Sequence, residues 1–211
     1  SAKGGGAIYG ELAASITTND CIFTSNTSGN LGGAIYVNGD VTYSDSESVF
    51  TSNSAPNGGA IYSGGSSYVT MNGSTFTSNS ATNNGGAVYM YNDGTKGTNT
   101  FTGFTFTSNS ASTNGGAIYN SNGSHTIIEN TIMRNNSANG KGSAICTTSG
   151  SNVSNTFEIK GTFTTSANNI YVAGNSYLII NSSGLDDEDN SRANNTWNTF
   201  VSGVTNNITY N

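Results

Sequence analysis

The sequence predicts an all-β protein wound as a single-stranded parallel β-helix, a solenoid of about seven coils of 25–30 residues. Three observations predict it. A short phrase recurs along the 211 residues: "GGGAIY" at 4–9, "LGGAIY" at 31–36, "NGGAIY" at 57–62 and again at 114–119, "NGGAVY" at 84–89, "KGSAIC" at 141–146 and "SANNIY" at 166–171. A second phrase keeps phase with it: "CIFTSNTS" at 21–28, "SVFTSNSA" at 48–55, "STFTSNSA" at 74–81, "FTFTSNSA" at 104–111 and "TIMRNNSA" at 131–138, decaying to "GTFTTSA" at 161–167. The composition is poor in helix formers and rich in Gly, Asn, Thr and β-branched residues, with 28 glycines and one proline.

The first strand begins at the Ile of the repeated phrase and runs on through its Tyr. That Ile or Val falls at 8, 35, 61, 88, 118, 145 and 170, in steps of 27, 26, 27, 30, 27 and 25 residues. A fixed period of this length means a unit that buries its apolar side only by stacking on its neighbours. The glycine pair supplies a sharp corner and close backbone approach. Strict alternation after it would set Ala and Tyr on the face opposite Ile. The second strand carries Phe23, Phe50, Phe76, Phe106, Met133 and Phe163, read as a core column beside the Ile column. A third, looser strand lies between each Tyr and the next Phe, as in "VTY" at 41–43, "YVTM" at 68–71 and "TII" at 126–128. Apolar runs of three to five residues interrupted by Gly-Gly and Asn-Gly leave no room for helices. Seven coils at ~4.8 Å each make a rod roughly 34 Å long. Residues 1–183 form the repeats; 184–211 drop both phrases and read as a cap, a last coil or a contact arm.

Stacking turns each repeated residue into a column. Asn26, Asn53, Asn79, Asn109 and Asn136 form an amide ladder of the kind seen in cross-β assemblies. Tyr9, Tyr36, Tyr62, Tyr89, Tyr119 and Tyr171 form an aromatic stripe, either a surface for sugars or a neighbouring rod, or a stack that stiffens the sheet. Thr24, Thr51, Thr77, Thr107 and Thr164 align outward, with Thr75, Thr105 and Thr162 completing Thr-x-Thr pairs. Ice-binding β-helices carry such arrays, but Ile22, Val49, Ile132 and Arg134 interrupt this one.

Alternating "GGA[I/V]" and "FxxN" resembles the repeats of chlamydial polymorphic membrane proteins. The residues that carry the resemblance are Gly5 to Ile8, Gly32 to Ile35, Gly58 to Ile61, Gly85 to Val88 and Gly115 to Ile118, with Phe23 to Asn26, Phe50 to Asn53, Phe76 to Asn79 and Phe106 to Asn109. The resemblance implies a right-handed parallel β-helix displayed outside the cell, with adhesion as its role.

The chemistry-bearing residues are scattered. Glu11, Asp20, Asp40, Asp45, Glu47, Asp93, Glu129 and Glu158 recur at no fixed place in the coil, so the paired carboxylates of sugar-cleaving enzymes are not expected. His125, the one histidine, is read as a solvated loop residue, and Arg134 as a solvated replacement for Thr. No catalytic residue and no cofactor are expected. The acidic turn at 185–192, with Asp186, Asp187, Glu188 and Asp189, is an exposed loop or a weak Ca²⁺ candidate. Cys21 and Cys146 lie four coils apart, about 19 Å at the interstrand spacing, too far for a bond within the rod. Buried free thiols are expected, with a lateral bond between chains as the alternative.

A net charge of −6 without a basic stripe excludes a nucleic-acid binder. No apolar run approaches the ~18 residues of a spanning helix, so no membrane insertion is expected. The chain reads as a mature secreted protein or a cut-out fragment. Eight triplets fit the N-glycosylation pattern: Asn26, Asn72, Asn122, Asn135, Asn152, Asn181, Asn194 and Asn207. Asn26 is set aside because its amide belongs to the ladder. The expected function is therefore extracellular and non-enzymatic: a glycosylated surface filament whose partners are copies of itself, head-to-tail. The alternative is a fragment of an adhesin that binds glycans or a host surface; ice binding and polysaccharide processing are minor alternatives.

Overall fold

The backbone of the computed structural model runs through a parallel β-solenoid, described for residues 4–93, 97–149, 153–166, 169–187, 201–202 and 208–210. Three stacks of strands build it. The first is an 8-stranded sheet of Ile8–Glu11, Ile35–Asn38, Ile61–Gly64, Val88–Tyr91, Ile118–Ser121, Ile145–Thr148, Ile170–Ala173 and Val201–Ser202. Its register places Ile8, Ile35, Ile61, Val88, Ile118, Ile145, Ile170 and Val201 directly over one another. The seven repeated phrases thus enclose six turns, and Val201 begins a further rung.

The second stack is a 12-stranded sheet with two arms. One arm holds Ser15–Asn19, Thr42–Ser46, Tyr68–Asn72 and Thr98–Thr102; the other holds Ile22–Thr24, Val49–Thr51, Thr75–Thr77 and Thr105–Thr107. From His125–Arg134 onward the arms fuse into single long strands, continued by Asn155–Ser166 and Ser176–Asp187, with Ile208–Tyr210 on the outer edge. The third stack is a 4-stranded strip of Ser54–Asn57, Ser80–Asn84, Ser110–Ala111 and Ser137–Ala138. A coil therefore has up to four short strands, where the sequence pattern suggested three.

The core lies between the three stacks. Phe50, Phe76, Phe101, Phe106, Ile35, Ile61, Val88 and Ile118 are fully buried. Phe23, Phe50, Phe76 and Phe106 stack nearly parallel, with successive ring centroids 4.8, 4.7 and 4.9 Å apart.

Two expectations are corrected. Ala34, Ala60, Ala87, Ala117 and Ala144 are buried together with the neighbouring Ile or Val, not opposite to it. The cause is the corner. The N–H groups of Ala34 and Ile35 both donate to the Ala60 carbonyl, at 2.9 Å each, so the chain is not yet extended at Ala. Alternation begins only at Ile. Phe163, expected beneath Met133, pairs instead with Thr131, and Thr165 takes the place beneath Met133. An extra residue at Gly161, with φ +62°, makes a bulge that shifts the register. The same shift moves Thr164 beside Ile132, out of the row of Thr24, Thr51, Thr77 and Thr107.

The glycine pair has two distinct jobs. Gly58 has φ +63°, which glycine adopts at no steric cost. A Cβ on Gly59 would lie 2.1 Å from the Gly86 carbonyl oxygen and 2.5 Å from that of Ser80. The second glycine thus lets one coil pass close to the next coil and to the strip strand crossing it.

Candidate functional site

The columns are the sites this fold creates. In the Asn column, Asn26 donates from both its backbone N–H and its Nδ2 to Asn53 Oδ1, each at 2.9 Å. Asn53 does the same to Asn79, Asn79 to Asn109, and Asn109 to Asn136, at 2.9–3.0 Å. The second Nδ2 hydrogen goes to a backbone carbonyl: Asn53 to Phe23, Asn79 to Phe50 and Asn109 to Phe76. Asn53, Asn79 and Asn109 are wholly buried. Each buried amide is therefore satisfied, and the ladder points one way along the rod.

A second Asn ladder, partly exposed, accompanies the expected one. Asn84 donates to Asn57 Oδ1, Asn114 Nδ2 to Asn84 Oδ1 at 3.1 Å, and the Lys141 backbone N–H to Asn114 Oδ1 at 2.9 Å. It runs opposite to the first. Its signal in the sequence is the Asn preceding Gly-Gly in "NGGA".

The Tyr column faces away from the core and is half-buried. Tyr9, Tyr36, Tyr62, Tyr89 and Tyr119 contact one another in sequence, with centroids 5.2, 5.3, 4.7 and 4.9 Å apart. The rings spend their faces and edges on each other rather than on solvent. Hydroxyls of the column are also engaged: Tyr9 bonds Glu11, Tyr119 Oη lies 2.8 Å from Thr148 Oγ1, and Ser121 Oγ donates to Tyr89 Oη. Burial pushes the phenols of Tyr36, Tyr89 and Tyr119 upward. Cys146 replaces tyrosine in the next rung, and Tyr171 resumes the column below it. Lys141 Nζ sits 5.3 Å from the Tyr171 ring centroid, within cation–π range.

Asp45, read as one of many scattered acids, is nearly fully buried. It occupies a core column continued by Met71, Phe101 and Ile128. Ser48 Oγ and Thr18 Oγ1 donate to Asp45 Oδ1, and Ser74 Oγ to Oδ2, all at 2.5 Å. The same serine hydroxyls accept backbone N–H groups, Ser48 Oγ from Cys21 and Ser74 Oγ from Ser48. Tyr43 Oη completes the set 2.8 Å from Thr18 Oγ1. This is a closed structural network: three hydroxyls satisfy the oxygens of a buried carboxyl group.

The remaining candidates are dispersed along the rod. His125 begins a strand rather than lying in a loop; it is half-buried, with Nδ1 3.4 Å from Thr98 Oγ1. Arg134 is half-buried at the end of that strand. Both cysteines are free; Cys146 is buried, and Cys21 only partly so. The backbone at Asp186 and Asp187 continues a strand beside Thr164 and Thr165, while Glu188 and Asp189 lie outside the described residues. Among the described residues no three His, Cys, Asp or Glu side chains cluster as metal ligands. Of the glycosylation triplets, Asn152, Asn194 and Asn207 lie outside the described residues. Asn72 and Asn135 are exposed; Asn122 donates through Nδ2 to the Asn92 carbonyl, and Asn181 to Glu158.

Stacked short repeats, in-register columns and amide ladders together define a parallel β-solenoid repeat protein. Within that class, the chain is similar to the Chlamydia polymorphic membrane protein repeat, whose family model matches it at residues 20–38, 47–64, 73–90, 103–121 and 130–148. Each matched segment runs from the strand of the Phe column, Met133 in the fifth, through the ladder Asn to the Ile or Val strand, so the family's repeat corresponds to most of a coil. No curated protein and no solved structure matches the chain.

Proposed function

We propose that this chain is the rod of a cell-surface protein, non-enzymatic and displayed outside the cell, which associates head-to-tail into a glycosylated filament. The observation that carries the reading is the polarity of the glycine corner. Four successive N–H groups in one coil donate to carbonyls of the next: Gly58 to Asn84, Gly59 to Gly85, and Ala60 and Ile61 to Ala87. The pattern repeats from Gly85 to Val88 and from Gly115 to Ile118. Peptide dipoles therefore align along the rod at this corner, as they do in an α-helix. One side of any coil presents carbonyls here and the other presents N–H groups, so only head-to-tail contact pairs them. The low charge, 9% of residues, leaves little repulsion to oppose such contact.

Sedimentation and negative-stain electron microscopy of the purified chain test this. Fibres that lengthen with concentration support it; a monomer at high concentration removes the filament. The adhesin reading is favoured by the repeat match to a polymorphic membrane protein family. On that reading the rod belongs to a longer surface protein with a glycan or host ligand. The ligand would meet strand edges, Thr rows and loops, because the tyrosine rings are occupied by one another.

A further inference from the structure

We propose that, of the triplets within the described residues, Asn135 is the glycan acceptor of the folded rod, taking an oligosaccharide from a lipid diphosphate donor; this rests on the reading of the chain as an extracellular glycoprotein. An acceptor must offer two groups: the Asn amide, and the hydroxyl two residues on, which the N-x-Ser/Thr pattern demands. The folded chain separates the triplets by this double requirement.

At Asn26 the amide nitrogen is held by Asn53 Oδ1 at 2.9 Å, and the hydroxyl-bearing Ser28 is buried. At Asn72 the amide is exposed, but Ser74 is wholly buried and its hydroxyl donates to Asp45. At Asn122 the amide donates to the Asn92 carbonyl, and Ser124 is wholly buried. At Asn181 the amide is bound to Glu158. Asn135 differs from all four. It sits at the corner after Arg134 with φ +52°, is exposed, and makes no side-chain hydrogen bond among the described residues. Its hydroxyl partner Ser137 is exposed too. Between them, Asn136 is buried in the ladder and anchors the corner.

The step forms a bond from Asn135 Nδ2 to the anomeric carbon of the sugar and breaks that carbon's bond to the diphosphate. The lipid diphosphate leaves with the electron pair, and a base of the transferase takes the amide proton. Asn72, by the same reasoning, accepts a glycan only before its coil closes and Ser74 is buried.

The test uses unglycosylated folded protein, a purified oligosaccharyltransferase and its lipid-linked donor, with glycopeptide mapping by mass spectrometry. Synthetic peptides of each triplet give the rate without the fold. Asn135 is expected to react in the folded chain at a rate close to its peptide's. Asn26, Asn72 and Asn122 are expected to react at least about a hundredfold slower than theirs, because each needs local opening. Equal rates at Asn72 or Asn26 in folded protein and peptide would overturn the assignment. So would a silent Asn135, whether in the folded chain alone or in its peptide as well. Absence of glycan from native surface material would instead remove the glycoprotein reading and leave the accessibility of Asn135 intact.

Discussion

Phe50 and Phe76 lie one coil apart with ring centroids separated by 4.7 Å and planes only 5° from parallel. Both are fully buried, and Phe23 and Phe106 extend the stack on either side. Phe76→Ala removes a ring that touches three others, Phe50, Phe104 and Phe106, and leaves a cavity that flanking coils cannot close. It is expected to cost ~3–5 kcal/mol, read from the midpoint of chemical denaturation. A loss below about 1 kcal/mol would mean that the column is not the core.

Gly59→Ala tests the corner separately from the core. The added methyl meets two backbone oxygens, not a movable side chain. Coils must separate locally, at a cost on the order of 1–3 kcal/mol or more. Gly29→Ala is the control: a Cβ there meets nothing within 4 Å. Its denaturation midpoint is expected to stay near that of the parent.

Asp45→Ala leaves three hydroxyls without their acceptor inside the rod. The expected loss is ~1–3 kcal/mol for each such group left unpaired, less whatever repacking recovers. Asp45→Asn keeps one acceptor oxygen and is expected to fall between parent and alanine variant. If Asp45→Ala proves as stable as the parent, the network contributes nothing.

Burial pushes the Cys146 thiol from 9.0 up to about 12. Between those values the unfolded chain releases the proton while the folded chain keeps it, so stability falls as pH rises through that window. The raised phenols of Tyr36, Tyr89 and Tyr119 act in the same direction at higher pH. Cys146→Ser is expected to flatten the profile of Tm against pH above 9.0. Thiol labelling near neutrality should modify Cys21 first and Cys146 only on unfolding, since the first is partly exposed and the second buried. Equal labelling rates would contradict this.

The columns are legible because stacking repeats the same demand in every coil, so identical residues recur at Phe50 and Phe76 or at Asn53 and Asn79. The illegible features come from single events that the repeat does not announce. One extra residue at Gly161 moves Phe163 out of its column. One carbonyl shared by Ala34 and Ile35 turns alanine inward. The strip through Ser80 and Ala81 escapes the pattern because short polar and small residues carry no strand signature. Asp45 has the look of a surface acid in the sequence; only its hydroxyl partners from three coils, distant along the chain, place it inside. The ladder of Asn57, Asn84 and Asn114 is open to view in the phrase itself, but an Asn before Gly-Gly reads equally well as part of a turn.

Among the coils that join the seven repeated phrases, the longest, 30 residues from Val88 to Ile118, carries its surplus in one place. Six residues separate Tyr91 from the strand beginning at Thr98, where three separate Gly64 from Tyr68 and Ser121 from His125. The columns on both sides keep their partners: Val88 still meets Ile118, and Phe101 still meets Ile128. Length can therefore vary at this corner without a penalty to the winding. A lineage of such proteins could diversify there while its scaffold stays constant, and an engineer could graft a foreign epitope between Tyr91 and Thr98 on the same terms.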